Sequence, residues 1–355
     1  MLLLFYGAII VLFITVLLIM IASTYTNEIL PLKNKFGFIR SYISLICVIL
    51  FEYFGLYAES KGASYRTAYI GANILLFTFA PTIPIFLAAS IYELKHKKVI
   101  IFILFANFLF QVISIKTGWV FIVDEMNIYH RGEFYWVYFL ITTLATFLLF
   151  YYLYLLSKQY QTKNNILILF ILTLHQIGSF LQMANPNFYT IWPASILTVI
   201  MVYIHYISLI NQVDSLTSLL NRRCYENKLV SIKNDAIVLY FDIDKFKVVN
   251  DTYGHSFGDI ALHEVGFLIK KVYSSNGYCY RIGGDEFSVI LHNDIKNVDK
   301  FNANFIKEIT ELNTKDSRFP FVSVGYGYYY PKKNTIDDAI EQADKMMYAE
   351  KHKNL

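Results

Sequence analysis

Seven runs of mostly apolar residues constrain the first 210 positions more than any other feature: Leu2–Ala22, Phe38–Ala58, Ala68–Ile91, Val99–Ile115, Tyr135–Leu156, Ile166–Ala184 and Phe188–Ile210. Each is roughly 20 residues, the length a helix needs to cross a hydrocarbon core with its backbone bonded within itself. The expectation is an N-terminal all-α seven-helix transmembrane bundle. No basic stretch precedes the first run and no small-x-small cleavage site follows it, so it reads as a helix and not as a signal peptide.

Charge divides the chain at the same place. Up to Ile210 there are 12 Lys+Arg and 7 Asp+Glu; from Asn211 onward there are 19 and 20. Over all 355 residues only 16% are charged, against about 25% in soluble domains. The basic excess lies in the loops between spans, which argues against nucleic acid as a partner. One set of loops carries Lys33, Lys35, Arg40, Lys95, Lys97, Lys98, Lys158 and Lys163; the opposite set carries Lys61, Arg66, Lys116 and Arg131. The richer set marks the cytoplasmic side, placing the N-terminus outside and the residues after Ile210 inside. An odd number of spans requires the same inversion. The expected division is 1–213 for the membrane region and 214–355 for a cytoplasmic domain. Cys47, Cys224 and Cys279 share no metal or redox spacing and read as small hydrophobes in a reducing compartment.

Glu52, Asn107, Gln111, His175, Gln176 and Gln182 fall inside the spans. Polar groups at that depth face the bundle interior. They either form a ligand pocket or relay, with Glu52 and His175 as the sensor candidates, or make interhelical bonds that only fix packing. Pro81 and Pro84 should kink the third span. Charged rings, Gly-interrupted half-helices and internal repeats are missing from the spans, which weakens a transporter reading. The loop Lys116–Phe134 is the longest exposed connection, with Trp119, Asp124, Glu125 and the run Tyr129-His130-Arg131-Gly132. Together with the seven-span layout it resembles the sensor module at the N-terminus of some bacterial histidine kinases. That resemblance implies an input module in contact with the lipid bilayer, and an unknown small-molecule or membrane signal.

From Asn211 the hydrophobic period changes. Ala236–Phe241 reads as a buried strand ending at Asp242, followed by a polar helical stretch Asp244–Asp251 and a longer helix over 256–271. Tyr278–Ile282 and Glu286–Leu291 form a hairpin around Gly283-Gly284-Asp285. A helix near Val298–Leu312, a strand Phe321–Tyr329 and a last helix capped by Thr335 and Asp338 complete the order. The simplest closure is an α+β domain, one antiparallel-containing sheet with helices packed on it.

Asp242 and Asp244 at a strand end and Asp285-Glu286 in a glycine hairpin could converge on a divalent cation, with water and phosphates completing the shell. Gly283 and Gly284 are expected to turn with positive φ and to leave room for a ligand. Asn250, His255 and Asp259 lie between the two acidic elements in sequence.

These residues carry a family resemblance. Arg281-Ile-Gly-Gly-Asp-Glu-Phe287 contains the signature of GGDEF-type diguanylate cyclases. Asp242-Ile-Asp-Lys-Phe-Lys-Val-Val-Asn-Asp251 with Tyr253-Gly254-His255 and Gly258-Asp259 matches at the family's spacing. So do Asp214-Ser-Leu-Thr-Ser-Leu-Leu-Asn-Arg-Arg223, Ala343-Asp344 and Tyr348-Ala-Glu-Lys351. The resemblance covers about 214–355. It implies a ferredoxin- or palm-like antiparallel sheet with flanking helices, and condensation of two GTP into cyclic di-GMP with loss of two pyrophosphates. Asp242, the Ile243 carbonyl and Asp285 would hold Mg²⁺, with Mn²⁺ as a substitute; Asp285 or Glu286 would help deprotonate the attacking 3′-hydroxyl. Asn250 and Asp259 correspond to guanine-reading positions, His255 and Lys247 to residues near the nucleotide and its phosphates, and Lys351 to a phosphate ligand, with Gly283 and Gly284 as substrate-binding residues. The resemblance also implies a homodimer, since each domain holds one GTP, and a bacterial inner (plasma) membrane location.

Two departures stand out. Family members restrained by product carry Arg-x-x-Asp before the glycines; here those positions read Ser274-Ser-Asn-Gly277, so no product-inhibition site is expected. The usual Arg a few residues after Lys351 is missing; Lys353 is the nearest replacement, without the planar fork. No Gly or Pro interrupts Val202–Leu220, which predicts one continuous helix from the last span into the domain. The competing reading is a catalytically weak domain that serves as a GTP or cyclic di-GMP receptor or scaffold. Residues 1–355 leave no room for a second catalytic domain, so a cyclase-phosphodiesterase is not expected.

Overall fold

A computed structural model describes residues 2–160, 165–185, 188–292 and 295–353. It divides into two compact units, Met1–Ser208 and Leu209–Leu355. The first contains seven candidate membrane spans. They are built from α1 (Leu2–Thr26), α2 (Leu32–Ser60), α3 (Arg66–Phe79) with α4 (Thr82–Ile91), α5 (Lys97–Thr117), α6 (Tyr135–Gln159), α7 (Asn165–Ala184) and α8 (Ile191–Ile210). The third span divides into two consecutive helices at Pro81, one of the two prolines expected to bend it. The chain breaks at Ala80-Pro81, where proline has no N–H to continue the ladder.

The long loop is not irregular. Phe121–Val123 (β1) pairs antiparallel with Tyr129–Arg131 (β2). Asp124 closes the turn by accepting from the Ile128 N–H at 2.9 Å, and Asn127 takes the left-handed conformation at φ 66°. Arg66 of α3 donates to the carbonyls of Val123 at 2.8 Å and Asp124 at 2.9 Å. Arg131 donates to the carbonyls of Gln182, at 2.7 Å, and Met183 at the end of α7. The short hairpin is thus tied to two spans, which stabilises what an isolated two-stranded ribbon cannot.

The second unit follows the order α9 (Arg222–Ser231), β3 (Ala236–Ile243), α10 (Phe246–Tyr253), α11 (His255–Tyr273), β4 (Gly277–Arg281), β5 (Glu286–Leu291), α12 (Val298–Lys315), β6 (Val322–Tyr329) and α13 (Ile336–Lys353). The sheet runs β4-β5-β3-β6 with every pair antiparallel, the ferredoxin-like arrangement. Alternation along β3 sorts its two faces. Ile237, Leu239, Phe241 and Ile243 enter a core with Leu262, Val265 and Ile269 of α11 and Phe305 and Ile309 of α12. The opposite face carries Ala236, Tyr280 and Ile290 against Tyr225 of α9. There α13 packs so closely on β6 that a Cβ on Gly325 or Gly327 would strike the backbone at Ala343 or Ala339.

The expected continuous helix over Val202–Leu220 does not form. α8 stops at Ile210 because the Asp214 carboxylate accepts from the Thr217 N–H at 2.9 Å and its hydroxyl at 2.8 Å, a local turn that competes with helix. Ser218 then adopts φ 56°, and Val213 bridges Leu220. α9, absent from the sequence expectation, begins immediately after, with Asn221 capping the Cys224 N–H at 3.1 Å. The capping box of α13 is present: the Thr335 N–H donates to Asp338 at 2.8 Å, and the Asp338 N–H donates back to the Thr335 hydroxyl at 3.2 Å.

Candidate active site

The candidate site is assembled by strand register. Asp242, next to last in β3, lies directly opposite Glu286, first in β5. The Ile243 N–H donates to the Asp285 carbonyl at 3.4 Å. The Asp242 carboxylate accepts from the Lys351 ammonium of α13 at 2.5 Å. Burial opposes the charge of Lys351, but the bond to Asp242 and the charges of Asp242, Asp285 and Asp244 outweigh it and hold the ammonium's pKa above its ordinary value. One register therefore places Asp242, Ile243, Asp285, Glu286 and Lys351 around a single strand end. A cavity of about 410 Å³ opens beside Glu286, lined also by Tyr240, Arg222 and Asp344.

Among the described residues, no three His, Cys, Asp or Glu side chains form a complete metal-ligand group. The donors fit a different kind of site. Asp244 accepts from the Ser323 hydroxyl through Oδ1 at 2.6 Å, while its buried Oδ2 has no protein partner among the described residues. Asp242 already attracts the Lys351 ammonium. Two carboxylates with a backbone carbonyl suit a hard cation that draws its remaining ligands from water and phosphate.

The glycines act by space, not by the expected positive φ. Neither Gly283 nor Gly284 lies in the left-handed region. A Cβ on Gly283 would stand 2.5 Å from Glu286 Oε2, whereas one on Gly284 would meet nothing within 4 Å. The first glycine makes room for Glu286, and the second leaves open space on the turn. The turn itself is braced by Arg281, whose Nη2 donates to the Gly284 carbonyl at 2.8 Å and whose Nη1 donates to Asp214 at 3.1 Å. Burial opposes the Asp214 charge, but the Thr217 bonds and Arg281 hold its pKa below the usual carboxylate value. Sequence reasoning quoted Arg281 only as part of a string and missed this brace. The available signal was that the two motifs each hold one member of an opposite-charge pair.

The other proposed residues sit on α10 and α11, the two helices that follow β3. Asn250 is half-buried on α10; His255 and Asp259 are exposed on the first turns of α11; Lys247 is exposed on α10. Gly258 permits their approach, since a Cβ there would overlap Asn250 Oδ1. None of these four lines the cavity beside Glu286. The side chain of Lys353 lies outside the described residues. In the membrane unit, Glu52 and His175 do not share a pocket: Glu52 lines a cavity of about 350 Å³ and His175 a separate one of about 30 Å³.

Residues 211–354 match the family described as "Diguanylate cyclase, GGDEF domain". Diguanylate cyclase DgcP of Escherichia coli K12 is 32% identical over 149 residues, 39% of this chain and 44% of that protein. An uncharacterized membrane protein of Staphylococcus aureus USA300 is 32% identical over 183 residues, 45% of this chain and 50% of that protein. The chain thus spans half or less of the length of these relatives. The solved GGDEF domain of DgcB from Caulobacter crescentus in complex with c-di-GMP is similar at 26% identity and a TM-score of 0.35, covering 40% of this chain and 91% of that one. Family match, sheet order and strand-end chemistry agree: residues 211–354 are a GGDEF domain of the diguanylate cyclase family.

Proposed function

We propose that the protein is a membrane-anchored diguanylate cyclase that condenses two GTP into cyclic di-GMP and two pyrophosphates. Its domain would lie on the cytoplasmic side of a bacterial inner membrane, and a signal received by the seven spans would regulate it. The observation that carries the reading is the register that gathers Asp242, Ile243, Asp285, Glu286 and Lys351 at one strand end.

In each of the two bond-forming steps a 3′-hydroxyl oxygen attacks an α-phosphorus and pyrophosphate leaves from the opposite side. Asp285, or Glu286 beside it, takes the hydroxyl proton. Asp259 accepts from guanine N1–H and N2–H₂, donors that adenine does not offer at N1, and Asn250 reads the same base. Lys351 holds phosphate oxygens with its ammonium, and the open side of Gly284 lets the nucleotide approach the turn. Family members generally use divalent metal ions; here Asp242, the Ile243 carbonyl and Asp285 would hold Mg²⁺, which stabilises attacking and leaving oxygens together when bound. Two domains face one another in the reaction, so a homodimer is the working unit. Ser274-Ser-Asn-Gly277 stands where product-restrained members carry their acidic and basic pair, which supports a rate insensitive to product at that site.

Membranes containing the full chain, supplied with GTP and Mg²⁺, should release cyclic di-GMP and pyrophosphate, and Asp285→Ala should release neither. Retained GTP binding without product in the wild type would support a receptor instead.

A further inference from the structure

The cavity of about 350 Å³ in the membrane unit lies at the end of the bundle covered by the β1–β2 hairpin. Its volume is that of a small-molecule site. The walls combine Glu52 and Glu59 of α2 with Arg131 of β2, and the aromatic rings Phe51, Tyr69, Phe77, Tyr129, Tyr135 and Tyr189. The charges on this wall are two carboxylates and one guanidinium.

The guanidinium is held in place by neutral partners, which leaves one positive charge against two carboxylates. It donates to the carbonyls of Gln182 and Met183, and it stacks on the Tyr135 ring with its carbon 4.7 Å from the centroid. Glu52 accepts from the Tyr6 hydroxyl and the Trp192 ring N–H, both on Oε2, and from the Gln182 amide at 3.4 Å on Oε1. These are neutral donors: they orient the Glu52 carboxylate without supplying a positive charge. Oε1 of Glu52 retains lone-pair capacity, since its one protein bond is long. An ionised side chain at this depth in a bundle needs a counter-charge, and a wall of aromatic faces attracts cations further.

We propose that this cavity is a binding site for a small organic cation, an alkylammonium or quaternary ammonium, held by Glu52 and Glu59 within the aromatic wall. It gives a chemical class to the signal invoked above and rests only on the sensing part of that reading, not on the reaction. Binding is therefore measured without GTP, so that failure of the cyclase reading leaves the result intact.

The experiment is calorimetric titration of the full-length chain in a neutral maltoside detergent, at about 0.15 M salt to screen surface charge. Choline and methylammonium are the probes. The comparison compounds are the uncharged isostere of choline, with carbon in place of the quaternary nitrogen, and glycine betaine. Choline or methylammonium should bind, and the uncharged isostere should bind roughly tenfold or more weakly, the effect of losing a charged partner. Glu52→Gln keeps the acceptor for Tyr6 and Trp192 yet should weaken binding of the cation by a similar factor. Glu59→Gln, which leaves the Glu52 network whole, should weaken it as well and serves if the first variant does not fold. Absence of binding by both cations at millimolar concentration overturns the proposal. So does equal binding of the isostere, or unchanged affinity in folded Glu52→Gln and Glu59→Gln. Tighter binding of betaine than of choline would also overturn it, by assigning the cavity to a zwitterion paired with Arg131.

Discussion

Two carboxylates, one in each unit, are handled in opposite ways. Glu52 is surrounded by neutral donors from Tyr6, Trp192 and Gln182. Asp242 is held by the ammonium of Lys351, on a long side chain from another element. Neutral donors fix a carboxylate's position without supplying a counter-charge, which is what the proposed cation site at Glu52 requires. An ammonium cancels the charge, so whatever binds Asp242 must compete with Lys351 or give that ammonium a new anionic partner. Phosphate oxygens supply one. The first arrangement suits a permanent receptor wall, the second a site that changes partners when substrate arrives.

The sharpest break of this comparison is removal of the acid at the strand end. Asp285→Ala should lower cyclic di-GMP production in membranes by at least about a hundredfold, the range lost when a proton-transferring group is removed. Next, Lys351→Ala should raise the KM for GTP by roughly tenfold, with Lys351→Arg restoring part of it, because one charge-assisted contact to phosphate is lost. An unchanged KM would make the ammonium a structural partner of Asp242 and nothing more.

The third test concerns a carboxylate that is paired and has no role in exchange. Asp214 and Arg281 are both mostly shielded, with side chains 24% and 15% exposed. Asp214→Asn should destabilise the second unit by about 1–2 kcal/mol at neutral pH. The folded-state pKa of Asp214 is lowered, so its contribution is complete above the unfolded value near about 3.9 and is lost as pH falls through the folded value. Hydrogen exchange of residues 277–291 against pH should therefore show a smaller acid-induced rise in the variant. The smallest effect is expected at a helix end: Thr335→Ala should speed exchange in the first turn of α13 roughly fivefold, as loss of one cap does.

What could be read from the sequence divides along physical lines. The strand end at Asp242, the glycine hairpin and the Thr335–Asp338 cap were legible because period, turn chemistry and capping are local. The seven spans were legible because length and apolarity suffice. The end of α8 was not. Val202–Leu220 contains no Gly or Pro, and the break comes with the turn of Asp214 onto Thr217 and the bonds of Asn221 back to the Asn211 and Gln212 carbonyls. The role of Gly283 was misread for a related reason: positive φ is a property of the turn, whereas its actual constraint is the neighbouring Glu286 side chain. The Arg281 brace joins positions 67 residues apart, a distance over which sequence pattern carries no geometry.

That brace has a mechanical consequence. Arg281 grips the Gly284 carbonyl with one end of its guanidinium and Asp214 with the other, and Asp214 follows the end of α8 by four residues. The glycine turn is therefore moored to the segment that follows α8. The brace works beside the backbone bonds by which Leu220 already joins the segment to β4, so the turn and the sheet edge are held to it together.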